Sequence, residues 1–130
     1  MTPRPSRQPR QSRAASFYHA FTGIWHVLRT QPNAWIHAVA TASAIVLGLW
    51  LGLSRMEWAI LTLTIGLVWT AEFINTALEA AVDLASPDIH PLAKIGKDVS
   101  AAAVLVAAII SVVIGLLVLG PPLWARLAGE

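Results

Sequence analysis

The chain has 130 residues, a formal net charge of +2 and no cysteine, and 56% of its residues are apolar against 12% charged. That length gives one small domain, and a soluble domain so small would expose too much apolar surface, so the composition points to an integral membrane protein. The lack of cysteine excludes disulfides, thiolate metal sites and cysteine nucleophiles.

Residues 1–13, MTPRPSRQPRQSR, are rich in Pro, Arg, Ser and Gln and are expected to form a disordered basic tail ahead of a single domain over 14–130. Beside membrane spans, such arginines mark a cytoplasmic flank near anionic lipid rather than a nucleic-acid-binding arm. No short apolar core with a cleavage site precedes residue 16, so no signal peptide is expected. In 14–30, Phe17, Phe21, Ile24, Trp25 and Leu28 recur at helical spacing, with Ser16, His19, Thr22, His26 and Arg29 largely opposite. The segment is too polar to span and predicts an amphipathic helix lying in the membrane interface.

Three spans follow. Residues 34–53 carry no formal charge over a length that matches a hydrocarbon core about 30 Å thick. After the turn SRME, a second span over 58–84 would run to roughly 40 Å, which carries its carboxyl end into the headgroup layer. ASPDIHPLAKIGK is expected to form a loop, and 98–119 a third span ended by GPP. Of the nine Lys and Arg residues, Arg4, Arg7, Arg10, Arg13 and Arg29 precede the first span and Lys94 and Lys97 follow the second, while Arg55 and Arg126 stand alone on the other side. The positive-inside rule then puts the amino terminus and the Lys94 loop in the cytoplasm and the carboxyl terminus outside. Small residues at every fourth position, Ala40, Ala44, Gly48 and Gly52 in the first span and Ala103, Ala107, Ser111 and Gly115 in the third, suit close helix packing and oligomerisation.

The second span ends unusually, in EFINTALEAAVD. At a helical advance of about 100° per residue, Glu72, Asn75, Glu79 and Asp83 lie at roughly 0°, −60°, −20° and +20°, a narrow band of one face. Carboxylates at membrane depth must meet protein, a cation or water. Satisfied interhelical hydrogen bonds with snorkelling groups would suit Asp83 alone better than four aligned polar residues. Three carboxylates and an amide carbonyl are the all-oxygen donor set of a hard cation such as Mg²⁺, and Lys94, Lys97 and Asp98 lie across the loop, as suits a polyphosphate. No Walker A, glycine-rich kinase loop or GxSxG sequence occurs. The residues thus point to cation-assisted chemistry on a phosphate at the cytoplasmic face, with an ion pathway as the open alternative.

The stretch over 72–105, EFINTALEAAVDLASPDIHPLAKIGKDVSAAAVL, closely resembles the bacterial diacylglycerol kinase and undecaprenol kinase family of small membrane lipid kinases. HPLAKIGKD looks more like the undecaprenol kinases of Gram-positive type. The resemblance extends over about 16–120, strongly from Glu72 onward and weakly in the first span. It implies an all-α homotrimer in a bacterial inner membrane, with active sites shared between protomers, acting with ATP and Mg²⁺ on a lipid alcohol, undecaprenol or diacylglycerol. By matching positions, Glu72 would be the general base, Glu79 a ligand of the Mg²⁺ of ATP, and Asn75 a group positioning the γ-phosphate or the acceptor. Asp83 would contribute to nucleotide binding, Lys97 would contact the phosphates with Asp98 orienting groups around it, His90 would lie near the adenine, and Arg13 would match an arginine that approaches the phosphates.

One segment departs from the pattern. Where the family has T-E-x-N-x-R-I-H, this chain reads TQPNAWIH, with Gln31 at the position of a metal-ligand glutamate, Pro32 beside it and Trp35 where a basic residue is common. A glutamine offers a carbonyl oxygen to a cation but no charge. The alternatives to an ordinary kinase are therefore a member with another lipid or nucleotide preference, or a trimeric scaffold impaired at Gln31.

Overall fold

The computed structural model describes residues 12–86, 88 and 90–129, so most of the expected basic tail lies outside the described residues. Four helices follow one another: α1 (Arg13–Thr30), α2 (Pro32–Leu51), α3 (Arg55–Ala85) and α4 (Pro91–Ala128). The last three are each long and apolar enough to cross a membrane.

The joints between helices decide where the polar residues sit. Ser12 caps α1 by accepting a hydrogen bond from the Ala15 N–H at 3.2 Å. Gln31 then adopts an extended conformation (φ −103°, ψ 112°) between α1 and α2, because Pro32 disfavours helical geometry in the residue before it while fitting the first turn of α2 itself. This corner turns the Gln31 side chain towards α3. α2 ends at Gly52, whose φ of +73° is the left-handed geometry that glycine adopts without strain. α3 opens with a reciprocal capping box: Ser54 N–H donates to Glu57 Oε2 at 2.7 Å and Glu57 N–H to Ser54 Oγ at 3.3 Å.

The core sits mainly between α3 and α4, with α2 laid across them. The buried residues of α3 are Leu61, Thr64, Val68, Glu72 and Asn75, in steps of three and four that trace one helical face, and Thr76, one turn after Glu72. Glu72 and Asn75 therefore continue the stripe that carries the core leucine and valine. Ser100, Val104, Ala107 and Val118 are the buried residues of α4. The apolar stripe of α1 lies largely uncovered, with Phe17, Phe21 and Trp25 more than half exposed, and Val27 is the buried residue of that helix.

α4 differs from the expected third span at both ends. It starts at Pro91, capped by His90, whose Nδ1 accepts from the Leu92 N–H at 3.2 Å, so Lys94 and Lys97 lie in its first turns rather than in a loop, with Asp98 directly after them. It also runs through Pro121 and Pro122 to Ala128. The two prolines each remove one helical hydrogen bond, but the turns beyond them dock on α2. There Arg126 Nη1 donates to the Trp50 carbonyl at 2.6 Å, and its guanidinium lies 5.1 Å from the Trp50 ring centroid. That contact satisfies a carbonyl left open at the carboxyl end of α2.

Of the small-residue positions, Gly48 is buried for a specific reason. A Cβ there would lie 2.9 Å from Trp58 Cη2 and 3.0 Å from Leu53 Cδ1, so the α2–α3 turn closes over it. Gly48→Val is expected to destabilise the chain by about 1–3 kcal/mol, seen as a lower midpoint of thermal unfolding in detergent. Gly66→Val, where nothing lies within 4 Å, serves as the control.

Candidate active site

The predicted site residues fall into two neighbouring clefts. The first, of about 270 Å³, is lined by Gln31 and His37 from the corner and first turns of α2 and by Glu72, Asn75 and Glu79 from α3, with Val104 and Leu105 of α4 as apolar wall. The second, of about 440 Å³, lies where α3 gives way to α4 and is lined by Asp83, Asp88, His90, Lys94, Lys97 and Asp98.

In the first cleft, Glu79 is held between two amides. Gln31 Nε2 donates to Oε2 at 3.2 Å and Asn75 Nδ2 to Oε1 at 3.0 Å. The Asn75 bond spans one helical turn, which is why that pair shares a face. Asn75 Oδ1 in turn accepts from the Ser100 hydroxyl at 2.7 Å, and the carbonyl of Lys97 lies 2.9 Å from the same hydroxyl. This chain of contacts ties the two clefts together. Glu72 is different: it is 1% exposed, and neither carboxylate oxygen has a hydrogen-bond partner among the described residues. Its nearest charged or titratable neighbour is His37, with Nε2 3.7 Å from Oε2.

In the second cleft, Lys97 Nζ donates to Asp83 Oδ1 at 2.7 Å, and Lys94 pairs with Asp98 one turn along α4. Asp83, at the end of the polar stripe, therefore reaches a cation on the neighbouring helix, while Glu72 reaches no Lys or Arg among the described residues. Arg13 opens α1 and lines neither cleft. A third, apolar groove of about 600 Å³ runs between α3 and α4 along Leu67, Ile74, Val99, Val106 and Ile110, and Asn75 and Ser100 form its polar edge.

Residues 18–119 match the family described as prokaryotic diacylglycerol kinase. The chain belongs to that family. It is 46% identical over 108 residues to the undecaprenol kinase of Bacillus subtilis strain 168, which covers 83% of this chain and 88% of that protein. It is 43% identical over 109 residues to the diacylglycerol kinase of Synechocystis, covering 83% of this chain and 62% of that longer protein. With the diacylglycerol kinase of Escherichia coli K12 the identity is 34% over 96 residues, 68% of this chain and 76% of that one. Together with its three apolar helices, membership of the diacylglycerol kinase family makes this a multi-pass membrane protein.

Among the described residues, no three His, Asp or Glu side chains converge as a metal cluster. The carboxylates of the stripe instead diverge, Glu72 towards α2, Glu79 towards two amides and Asp83 towards Lys97. The Glu79 cradle still fits a hard cation chemically. Both groups on Glu79 are side-chain amides, and each carries a carbonyl oxygen on the same carbon as its NH₂, so turning the Gln31 amide replaces a donor with an acceptor beside the carboxylate.

His37, Asn33 and Ser100 line these clefts and are not among the residues expected from the sequence. For His37 a signal existed, since it is the one titratable residue of α2, and an ionisable group inside a span faces protein or function. Asn33 stands one turn before it on the same face. Ser100 carried no signal beyond its spacing of three from Lys97.

Proposed function

We propose that the chain is a lipid kinase that transfers the γ-phosphoryl group of ATP, with Mg²⁺, to the hydroxyl of a lipid alcohol at the cytoplasmic face of a bacterial inner membrane. Undecaprenol is the first acceptor in this reading, supported by 46% identity across most of a named undecaprenol kinase, and diacylglycerol the second. The observation that carries the chemistry is Glu72, a deeply buried carboxylate with neither oxygen partnered among the described residues. A chain retains such a costly group where its unmet capacity to take a proton is used.

In the proposed reaction, the acceptor hydroxyl meets Glu72, which takes its proton as the oxygen bonds to the γ-phosphorus. The bond from that phosphorus to the bridging oxygen breaks, leaving ADP and a lipid phosphate. Phosphoryl transfer demands positioning and charge neutralisation more than covalent help. Lys97 supplies positive charge to the phosphates, with Asp83 and Asp98 fixing the lysines of the second cleft and His90 beside the nucleotide base. Asn75 stands between the apolar groove, which suits a lipid tail, and the polar cleft, and so is suited to align acceptor and γ-phosphate. Glu79 with Gln31 would hold Mg²⁺, which when bound offsets the charge of the phosphate oxygens. The reading includes a homotrimer whose neighbours share a site, with Arg13 approaching the phosphates from the amino-terminal side.

The test is direct. Protein purified in a bilayer mimetic, given radiolabelled ATP and either undecaprenol or diacylglycerol, is expected to phosphorylate undecaprenol faster, and neither lipid after chelation of divalent cations. Folded protein that phosphorylates no lipid alcohol refutes the reading.

A further inference from the structure

His37 lies in the cleft with Glu72, yet the reaction above gives it no task. We propose that His37 is a positioning residue for Glu72: its Nε2–H donates to Oε2 and leaves Oε1 as the oxygen that meets the acceptor hydroxyl. The inference rests on the reading of Glu72 as the base.

Elimination among the neighbours carries it. Gln31 and Asn75 both donate to Glu79. The Thr76 hydroxyl donates to the backbone carbonyl of Glu72, at 3.0 Å, and so is not available to the carboxylate. Trp69 Nε1 donates to Thr41 Oγ1 at 3.1 Å. His37 Nε2 is left, itself buried and without a partner among the described residues, at 3.7 Å from Glu72 Oε2. Three buried polar atoms, Nε2 and the two carboxylate oxygens, thus lack partners at one place. A single shift of about 0.8 Å brings Nε2 and Oε2 to hydrogen-bond distance, and catalytic bonds of this kind commonly tighten only when substrate is bound.

The imidazole is also held. Trp69 meets it edge-on, with ring centroids 6.2 Å apart and planes at 69°. Trp69 is itself fixed by its bond to Thr41 and by Phe73, whose ring centroid lies 5.7 Å away. Thr41, Trp69 and His37 therefore form a backing from α2 and α3 that aims one nitrogen at one carboxylate oxygen. A carboxylate anchored through Oε2 cannot rotate its Oε1 away from the acceptor, and misplacement of a reacting group by about 1 Å can cost on the order of a hundredfold in rate.

The test uses the full chain in a bilayer mimetic. His37→Leu is expected to lower kcat by roughly tenfold to a hundredfold while KM for ATP stays within about twofold. His37→Gln, which keeps an N–H near the place of Nε2, is expected to restore most of that loss. Nitrogen-edited NMR of histidine-labelled protein should show His37 protonated at Nε2, with that resonance shifted in Glu72→Gln. Wild-type turnover by His37→Leu, a His37→Gln as impaired as His37→Leu, or a His37 protonated only at Nδ1 each overturns the proposal. If His37→Leu fails to fold, the glutamine variant and the spectrum decide. Turnover that persists in Glu72→Gln overturns the assignment of the base instead, and the spectrum still judges the pairing.

Discussion

Glu72→Gln is expected to lower phosphoryl transfer to the lipid by roughly 10³-fold, the scale of losing a general base. The neutral amide cannot accept the proton of the acceptor hydroxyl, so kcat should fall. KM for ATP should stay within about twofold, because the proposed reading holds the nucleotide from the second cleft. The same substitution should raise the midpoint of thermal unfolding. Glu72 is 1% exposed and its oxygens have no hydrogen-bond partner among the described residues, so a potential charge is held where it weakens the fold. Opposite signs for activity and stability are what separates a group retained for chemistry from one retained for structure. Steady-state kinetics and a thermal melt on one preparation measure both. Undiminished turnover shows that another group takes the proton, and a lower midpoint shows that Glu72 supports the fold.

The features that were legible in the sequence belong to single helices. The stripe from Glu72 to Glu79 could be read because helical phase is a property of one segment, and the same phase continues through Leu61, Thr64 and Val68 into the core. Three apolar helices were legible from composition, and the family from the run between Glu72 and Leu105. What escaped depends on how helices are rotated against one another. His37 reaches Glu72 only because the Gln31–Pro32 corner sets the rotation of α2, and no spacing within α2 states which face of α3 it will meet. The early start of α4 escaped because Pro91 and His90, which read as loop residues, are a first helical residue and its cap. Its passage through Pro121 and Pro122 rests on the Arg126 contact with Trp50, a partner 76 residues away in sequence.

The Gln31–Glu79 pair leads to the second large effect, and a double substitution isolates it. Glu79→Gln alone leaves amides at Gln31, Asn75 and position 79 and no carboxylate in the cradle, so kcat/KM for ATP in the presence of Mg²⁺ should fall by roughly 10²–10³-fold. Gln31→Glu alone has the opposite character. Gln31 Nε2 lies 3.2 Å from Glu79 Oε2, and two carboxylates at such a distance repel by roughly 5 kcal/mol at an effective dielectric of about 20. That repulsion is relieved by a cation, so this variant should melt at a lower temperature without Mg²⁺ and reach half-maximal rate at a Mg²⁺ concentration at least about tenfold lower than wild type. Combining the two exchanges the partners. The carboxylate then stands at the α1–α2 corner and the amide on α3, a donor again faces an acceptor, and the charge of the cradle is that of the native chain. Assayed at saturating Mg²⁺, where the lower Mg²⁺ requirement of Gln31→Glu brings no gain of its own, the double variant should therefore recover at least about tenfold of what Glu79→Gln loses, a coupling that independent sites would not show. Single-variant effects that simply multiply would mean that Gln31 and Glu79 do not share a cation, and that the amide at Gln31 serves only to hold the corner of the fold.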